Sequence, residues 1–185
     1  MFESNVFYIM IRKIYTIAIL AFLTVNAFAQ SKVTKSDVTF KIKNLGFNVG
    51  GNFTGFNADI RFNPTNLATS SIEASVASNT VNTDSESRDN HLKSDDYFDV
   101  AKYPKITLKS VSFKHKSGNN YTGSFNVSIK EKTKLIEIPF TYVESGNTAT
   151  FKGEFQVLRT DFGIGGKNVI LSNEANVSIE TEISK

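Results

Sequence analysis

A chain of 185 residues, 40% apolar and 21% charged, is long enough for one domain with a proper core and has none of the bias of a disordered polypeptide. Its formal charge of +3 comes from interspersed acids and bases, with no basic block interleaved with aromatics, which argues against a nucleic-acid partner. The absence of cysteine excludes a disulfide framework, a thiolate metal site, a cysteine nucleophile and a lipoprotein anchor cysteine.

The N-terminus reads as an export signal. Arg12-Lys13 precedes an apolar run from Ile14 to Val25 and then Ala27-Phe28-Ala29-Gln30. A short basic region, an apolar core and an A-x-A site are the parts of a cleaved signal peptide. The run is shorter than the ~20 residues a membrane-spanning helix needs. Residues 1–29 are therefore expected to be a signal peptide cleaved after Ala29, and 30–185 a single β domain without a stable membrane span. Losing Glu3, Arg12 and Lys13 takes the mature chain to about +2.

The mature chain then alternates apolar and polar residues in short runs. Val38, Phe40 and Ile42 share one face of a first strand, with Thr39, Lys41 and Lys43 on the other. Asn48-Val49-Gly50-Gly51-Asn52 reads as a turn or bulge. A second strand runs from Phe53 to Phe62, with Phe56, Ala58, Ile60 and Phe62 on one face, and ends at Asn63-Pro64-Thr65-Asn66. A third, Ser70 to Thr80, aligns Ile72, Ala74 and Val76. Glu86 to Ser94 contains helix formers without Pro or Gly and follows the cap candidates Thr83-Asp84-Ser85, which predicts one short, exposed helix.

Beyond Pro104 the strands resume. The apolar phase changes between Leu108 and Val111, which predicts a bulge near Ser110. Tyr121, Gly123, Phe125, Val127 and Ile129 alternate cleanly, as do Ile136, Ile138, Phe140 and Tyr142. Pro139 marks that strand as an edge or bulged one. Phe151 to Val157 and Val177 to Ile183 complete about eight strands, the pattern of an antiparallel sandwich or barrel.

Two charged segments stand out, Arg88 to Asp99 and Arg159 to Gly165. The first carries His91, one of two histidines, but has no metal-ligand spacing and no nucleophile elbow, so no cofactor, metal or catalytic residue is expected. Gly163-Ile164-Gly165-Gly166 lacks the following helix and Lys-Ser/Thr pair of a phosphate loop. Arg88, Asp89, His91, Arg159 and Asp161 are read as a structural clasp, one charge network pinning the helical segment to the end of the sheet. Both charged pairs flank aromatic residues, Phe98 and Phe162, that are expected to be buried.

Three motifs then appear in a recognisable order. They are Val38-Thr39-Phe40-Lys41-Ile42 with Gly51-Asn52-Phe53-Thr54-Gly55-Phe56, Arg88 to Asp99 with Tyr103-Pro104, and Arg159-Thr160-Asp161-Phe162-Gly163-Ile164-Gly165. Over Val38 to Ile183 the sequence resembles the YceI-like family of exported polyisoprenoid-binding proteins. It departs from that pattern at Asn44-Leu45-Gly46-Phe47, where the family usually has a histidine, and in the charged turn Lys130 to Lys134.

The resemblance implies an all-β, eight-stranded antiparallel lipocalin-like barrel with a short helix between early strands. It also implies a periplasmic location and a long-chain isoprenoid or other lipid as partner. Sixteen Phe and no Trp suit such a greasy interior. The expected barrel lining is Phe40, Phe56, Ile72, Val76, Phe98, Phe113, Phe125, Val127, Phe140, Phe155 and Phe162. The protein is thus expected to be a carrier and not an enzyme, with a homodimer as an open expectation for its assembly. The alternatives are a ligand-free structural or interaction barrel, and a lipid-acting enzyme with His91 and a neighbouring carboxylate as acid and base.

Overall fold

The computed structural model describes residues 31–167 and 169–185. The expected signal peptide, 1–29, lies outside them. The domain is one nine-stranded antiparallel sheet, in chain order β1 (Lys32–Asn44), β2 (Phe47–Phe53), β3 (Asn57–Arg61), β4 (Ser71–Ala77), β5 (Lys105–Ser117), β6 (Asn120–Ile129), β7 (Lys132–Ser145), β8 (Thr148–Leu158) and β9 (Leu171–Ser184). Among the described residues one α-helix, α1 (Glu86–Lys93), lies between β4 and β5, where the sequence predicts it; Ser85 stands at its N-cap without a side-chain capping bond, and it ends at Ser94, well before Pro104.

Strand order is β2-β1-β9-β8-β7-β6-β5-β4-β3. The first strand therefore pairs with the last, Phe40 opposite Val177, which curls the sheet into a barrel around one interior. Among the described residues no ladder joins β2 to β3. The end of β2 is stitched instead to the segment after β4: Asn52 and Asn82 exchange backbone hydrogen bonds of 2.8 and 3.0 Å. The Thr80 hydroxyl also accepts from the Thr54 N–H at 3.0 Å.

The ninth strand corrects the sequence reading. Gly50 and Gly51 lie within β2, opposite Lys41 and Phe40, and the chain reverses earlier, at Leu45-Gly46. Gly51 is there because nothing larger fits: a Cβ on it would stand 2.6 Å from Phe40 Cζ and 2.7 Å from the Asn82 carbonyl oxygen. A glycine pair signals a turn in sequence, but inside a strand it signals close approach. The bulge near Ser110 is present as a register shift between Ser110 and Ser112, and the Ser110 hydroxyl accepts from the Ile72 N–H at 2.9 Å. Pro139 faces Thr122 of β6, and the β7–β8 ladder runs only from Phe140 to Ser145. The proline thus occupies the point where β7 parts from β8 and needs no second partner.

Apolar residues fill the interior in the predicted phase. Tyr121, Phe125, Val127 and Ile129 of β6, Ile138, Phe140 and Tyr142 of β7, and Phe151 and Val157 of β8 are all buried. One level of the barrel is solid with rings. Phe62 packs against Phe113, Tyr121, Phe140, Tyr142 and Phe151 with centroid separations between 4.8 and 5.7 Å, mostly edge to face. The outward faces carry charge, as in the Lys109–Glu73 pair at 2.6 Å and the Lys152–Glu180 pair at 3.4 Å. That is the opposite of the apolar band a membrane-spanning barrel presents. No helix among the described residues is long and apolar enough to cross a membrane.

Candidate functional site

The rest of the interior is open space. A cavity of about 910 Å³ lies between the strands and α1, near the upper end of the usual range for ligand pockets. Its walls are Ile42 and Val49 from β1 and β2, Val76 and Leu108 from β4 and β5, Val127 and Ile129 from β6, and Phe155, Val157, Val177 and Ile179 from β8 and β9. Its polar residues come mostly from α1 and its flanks: Ser85, Ser87, Arg88, Asn90, His91 and Ser94, with Asn44 and Arg159 besides. A second void of about 70 Å³ adjoins it, sharing Phe56, Ala74, Leu108, Phe155 and Ile179, and is floored by Phe125, Phe140 and Phe151. Those last two belong to the ring-filled level around Phe62. The interior is therefore an apolar sleeve, stopped by aromatics at one level and polar where α1 meets it.

Of the expected lining, Phe40, Phe56, Val76, Phe98, Val127 and Phe155 border the main cavity. Ile72, Phe125 and Phe140 border the small void. Phe113 and Phe162 lie elsewhere. Phe113 belongs to the ring-filled level, 5.5 Å from Phe62 and 5.8 Å from Phe125. Phe162, 1% exposed, is buried in the 3₁₀ turn Arg159–Phe162 that follows β8. Alternation fixes which face a residue takes but not its height along the barrel axis, and height separates lining from filling. Leu108, Ile129, Val157, Val177 and Ile179 were visible in the same alternation. Phe53, 5.6 Å from Phe40 and 5.5 Å from Phe98, needed the unrecognised strand β2.

The charge clasp does not form as expected. Neither charged pair reaches the other segment: Arg88 and Asp89 both turn to Thr83, Arg159 turns to backbone carbonyls, and Asp161 turns to Lys134. On α1, Arg88 donates to the Thr83 hydroxyl at 2.8 Å and to the Thr83 carbonyl at 2.6 Å. Asp89 accepts from the Thr83 N–H at 2.8 Å and from its hydroxyl at 2.5 Å. Both residues thus anchor buried Thr83 at the entry to the helix. Asp161 pairs with Lys134 of β7 at 3.6 Å.

Arg159 is buried, and among the described residues no carboxylate pairs with it. Its guanidinium donates to the carbonyls of Ser172, Ile164, Gly165, Gly166 and Leu171 at 2.8 to 3.3 Å. The two segments do meet, by other means. The Gly165 N–H donates to the Asp96 carbonyl at 2.7 Å, and Lys130 donates to the Asp95 carbonyl at 2.8 Å. Tyr97 packs on Gly165, where φ is +58° and a Cβ would stand 3.0 Å from the ring. The other side of the motif is His91, whose ring centre is 4.6 Å from that of Tyr97.

His91 therefore faces the cavity as one of a set of polar groups. The Asp89 carboxylate that an acid–base role would recruit is committed to Thr83. Among the described residues no three His, Cys, Asp or Glu side chains converge closely enough to hold a metal ion. What the arrangement offers is a dry wall for a chain and hydrogen-bonding groups for one polar end.

A model of the YceI-like domain matches residues 30–183. Protein YceI of Salmonella arizonae is 28% identical over 180 residues, spanning 91% of this chain and 94% of that one. The crystal structure of BcnA from Burkholderia cenocepacia superposes with a TM-score of 0.76 at 24% identity, covering 80% of this chain and 95% of that one. A polyisoprenoid binding domain from Saccharophagus degradans, implicated in plant cell wall breakdown, superposes with a TM-score of 0.68 at 13% identity and covers 84% of this chain and 97% of that one. The last two share the fold. With the family match running through all nine strands, the 3₁₀ turn and α1, this chain belongs to the YceI-like domain family.

Proposed function

We propose that this protein is an exported, periplasmic carrier that holds one long-chain amphiphile, a polyisoprenoid or similar lipid, in the barrel for transport or storage. The cavity supports this reading most directly. At roughly 30 Å³ per small group, 910 Å³ accommodates about 30 heavy atoms of chain. Ten buried methylenes would contribute about 8 kcal/mol gross, enough to leave useful affinity after ordering costs of several kcal/mol. The polar groups of α1 and its flanks would face the head group. Binding without turnover is the role that the commitment of Asp89 and the apolar walls favour. The cleaved N-terminal signal belongs to the same proposal, as does a homodimer as the assembly in solution, which light scattering reads directly.

Titration of delipidated protein with a fluorescent polyprenyl analogue tests the proposal. One site per chain, displaced competitively by unlabelled polyprenols, is the expected result. Failure of both the analogue and the polyprenols to bind would leave the ligand-free barrel as the better reading.

A further inference from the structure

The sheet also carries an apolar tip beside the cavity. The β1–β2 hairpin turns on Leu45 (φ +52°) and Gly46 (φ +81°), a two-residue turn with both central residues left-handed. Asn-Gly would serve such a turn, and leucine is an uncommon occupant. Here Leu45 is 69% exposed and Phe47 is 77% exposed. The Leu45 N–H donates to the carbonyl of Ile170 at 3.0 Å, which sets the loop before β9 beside the tip. Val169 in that loop is fully exposed. With Ile170, 47% exposed, four exposed large apolar residues thus lie on two adjoining segments, where scattered single ones are the norm.

The segments that form the tip carry lysines and no acid, the next acid along β9 being Glu174, beside the Ala175 that pairs with Ile42. Residues 38–58 contain Lys41 and Lys43 and no acid, and residues 162–173 contain Lys167 and no acid. Asp95 and Asp96, with exposed side chains, approach the loop from the helical segment: the Asp96 carbonyl accepts from the Gly165 N–H, and Lys130 of the β6–β7 turn donates to both the Asp95 and Gly163 carbonyls, which sets a further lysine beside these acids. The tip is also continuous with the cavity. Phe47, Val49 and Phe53 alternate on one face of β2, and the last two line the cavity. Across the ladder, Asn44 opposes both Phe47 and Leu171, and Asn44 and Leu171 line the cavity as well.

We propose that the β1–β2 tip and the loop before β9 dock the protein on an anionic phospholipid bilayer. Leu45, Phe47 and Val169 enter the interface, and Lys41, Lys43 and Lys167 meet the lipid phosphates. The apolar face of β2 then leads from the bilayer to the cavity wall, so a chain can pass without crossing water. Only this last step rests on the carrier reading; docking stands or falls without it.

Co-sedimentation with phosphatidylglycerol-containing and pure phosphatidylcholine vesicles tests the proposal. The parent protein should bind the anionic vesicles, and each of Lys41→Gln and Lys43→Gln should weaken binding about fivefold. The pair Leu45→Asn and Phe47→Asp should weaken it more than tenfold while soluble-analogue binding stays unchanged and the melting temperature does not fall. A parent that ignores vesicles, or a tip variant that binds them equally well, overturns the proposal. So does a tip that mediates only self-association of the chain. Vesicle binding in a parent that takes no polyprenyl analogue supports the docking surface and sinks the carrier reading instead.

Discussion

Filling the cavity should shorten the chain it accepts. Ala74 of β4 and Ala175 of β9 both line the main cavity, the first between Ala58 and Leu108 in the sheet and the second between Ile42 and Val157. Replacing each by Phe adds six carbons, about twelve in all, to a space for about 30 heavy atoms. Because the rings enter empty volume, the ~1–3 kcal/mol overpacking cost of a full core should not appear, and stability should hold or rise. The longest polyprenol that binds well should lose about a dozen carbons. Short-chain ligands should retain most of their affinity, while longer ones forfeit about 0.8 kcal/mol for each methylene left in water. Native mass spectrometry across a series of polyprenols reads the length limit, and thermal melting reads the stability. A length limit unchanged from the parent would refute the assignment of this cavity as the chain site.

Three further outcomes follow from the packing. Arg159→Met should destabilise by about 3 kcal/mol in urea unfolding, since it strips five carbonyls of their buried donor, and Arg159→Lys should recover only part of that loss. Gly51→Ala should cost about 1–3 kcal/mol, because the new methyl meets the Asn82 backbone as well as the Phe40 ring; an unchanged midpoint would show that β2 yields easily. Burial, then its hydrogen bond to Glu144, holds the Tyr142 phenol above its ordinary value. The stability this gives is complete below about pH 10, where the unfolded phenol is still neutral, and is lost as pH climbs from there toward the folded value. Tyr142→Phe should therefore lose stability less steeply than the parent in denaturation above pH 10, and parallel slopes would contradict the reasoning.

Strand periodicity carried most of this fold, because a curled sheet with one dry face writes period two into every strand. β6 shows it best: Tyr121, Gly123, Phe125, Val127 and Ile129 are all buried. The helix was legible for the same kind of local reason, in a run of helix formers from Glu86 without Pro or Gly, although it ends at Ser94, well before the Pro104 that would bar its continuation. β2 was not, because Gly50-Gly51 carries no side chain with which to show a period, and their reason for being glycine lies across the ladder in Phe40. The charged motifs were legible as important and misread in partner. Arg159 suggested a carboxylate, but its partners are carbonyls of 164–166 and 171–172, which any residues could supply. Backbone acceptors leave no mark in a sequence. The division between cavity and ring-filled level was equally invisible, since Phe113 and Phe155 look alike until their heights in the barrel are known.

The carrier function requires that a lipid occupy the barrel in the cell. Organic extraction of the protein purified from its native host, followed by mass spectrometry of the extract against the amount of protein, measures that directly. One long-chain amphiphile per chain, lost or shortened in the doubly Phe-filled variant, is the expected result. An extract free of lipid, with the parent and filled variants alike, would contradict the central claim.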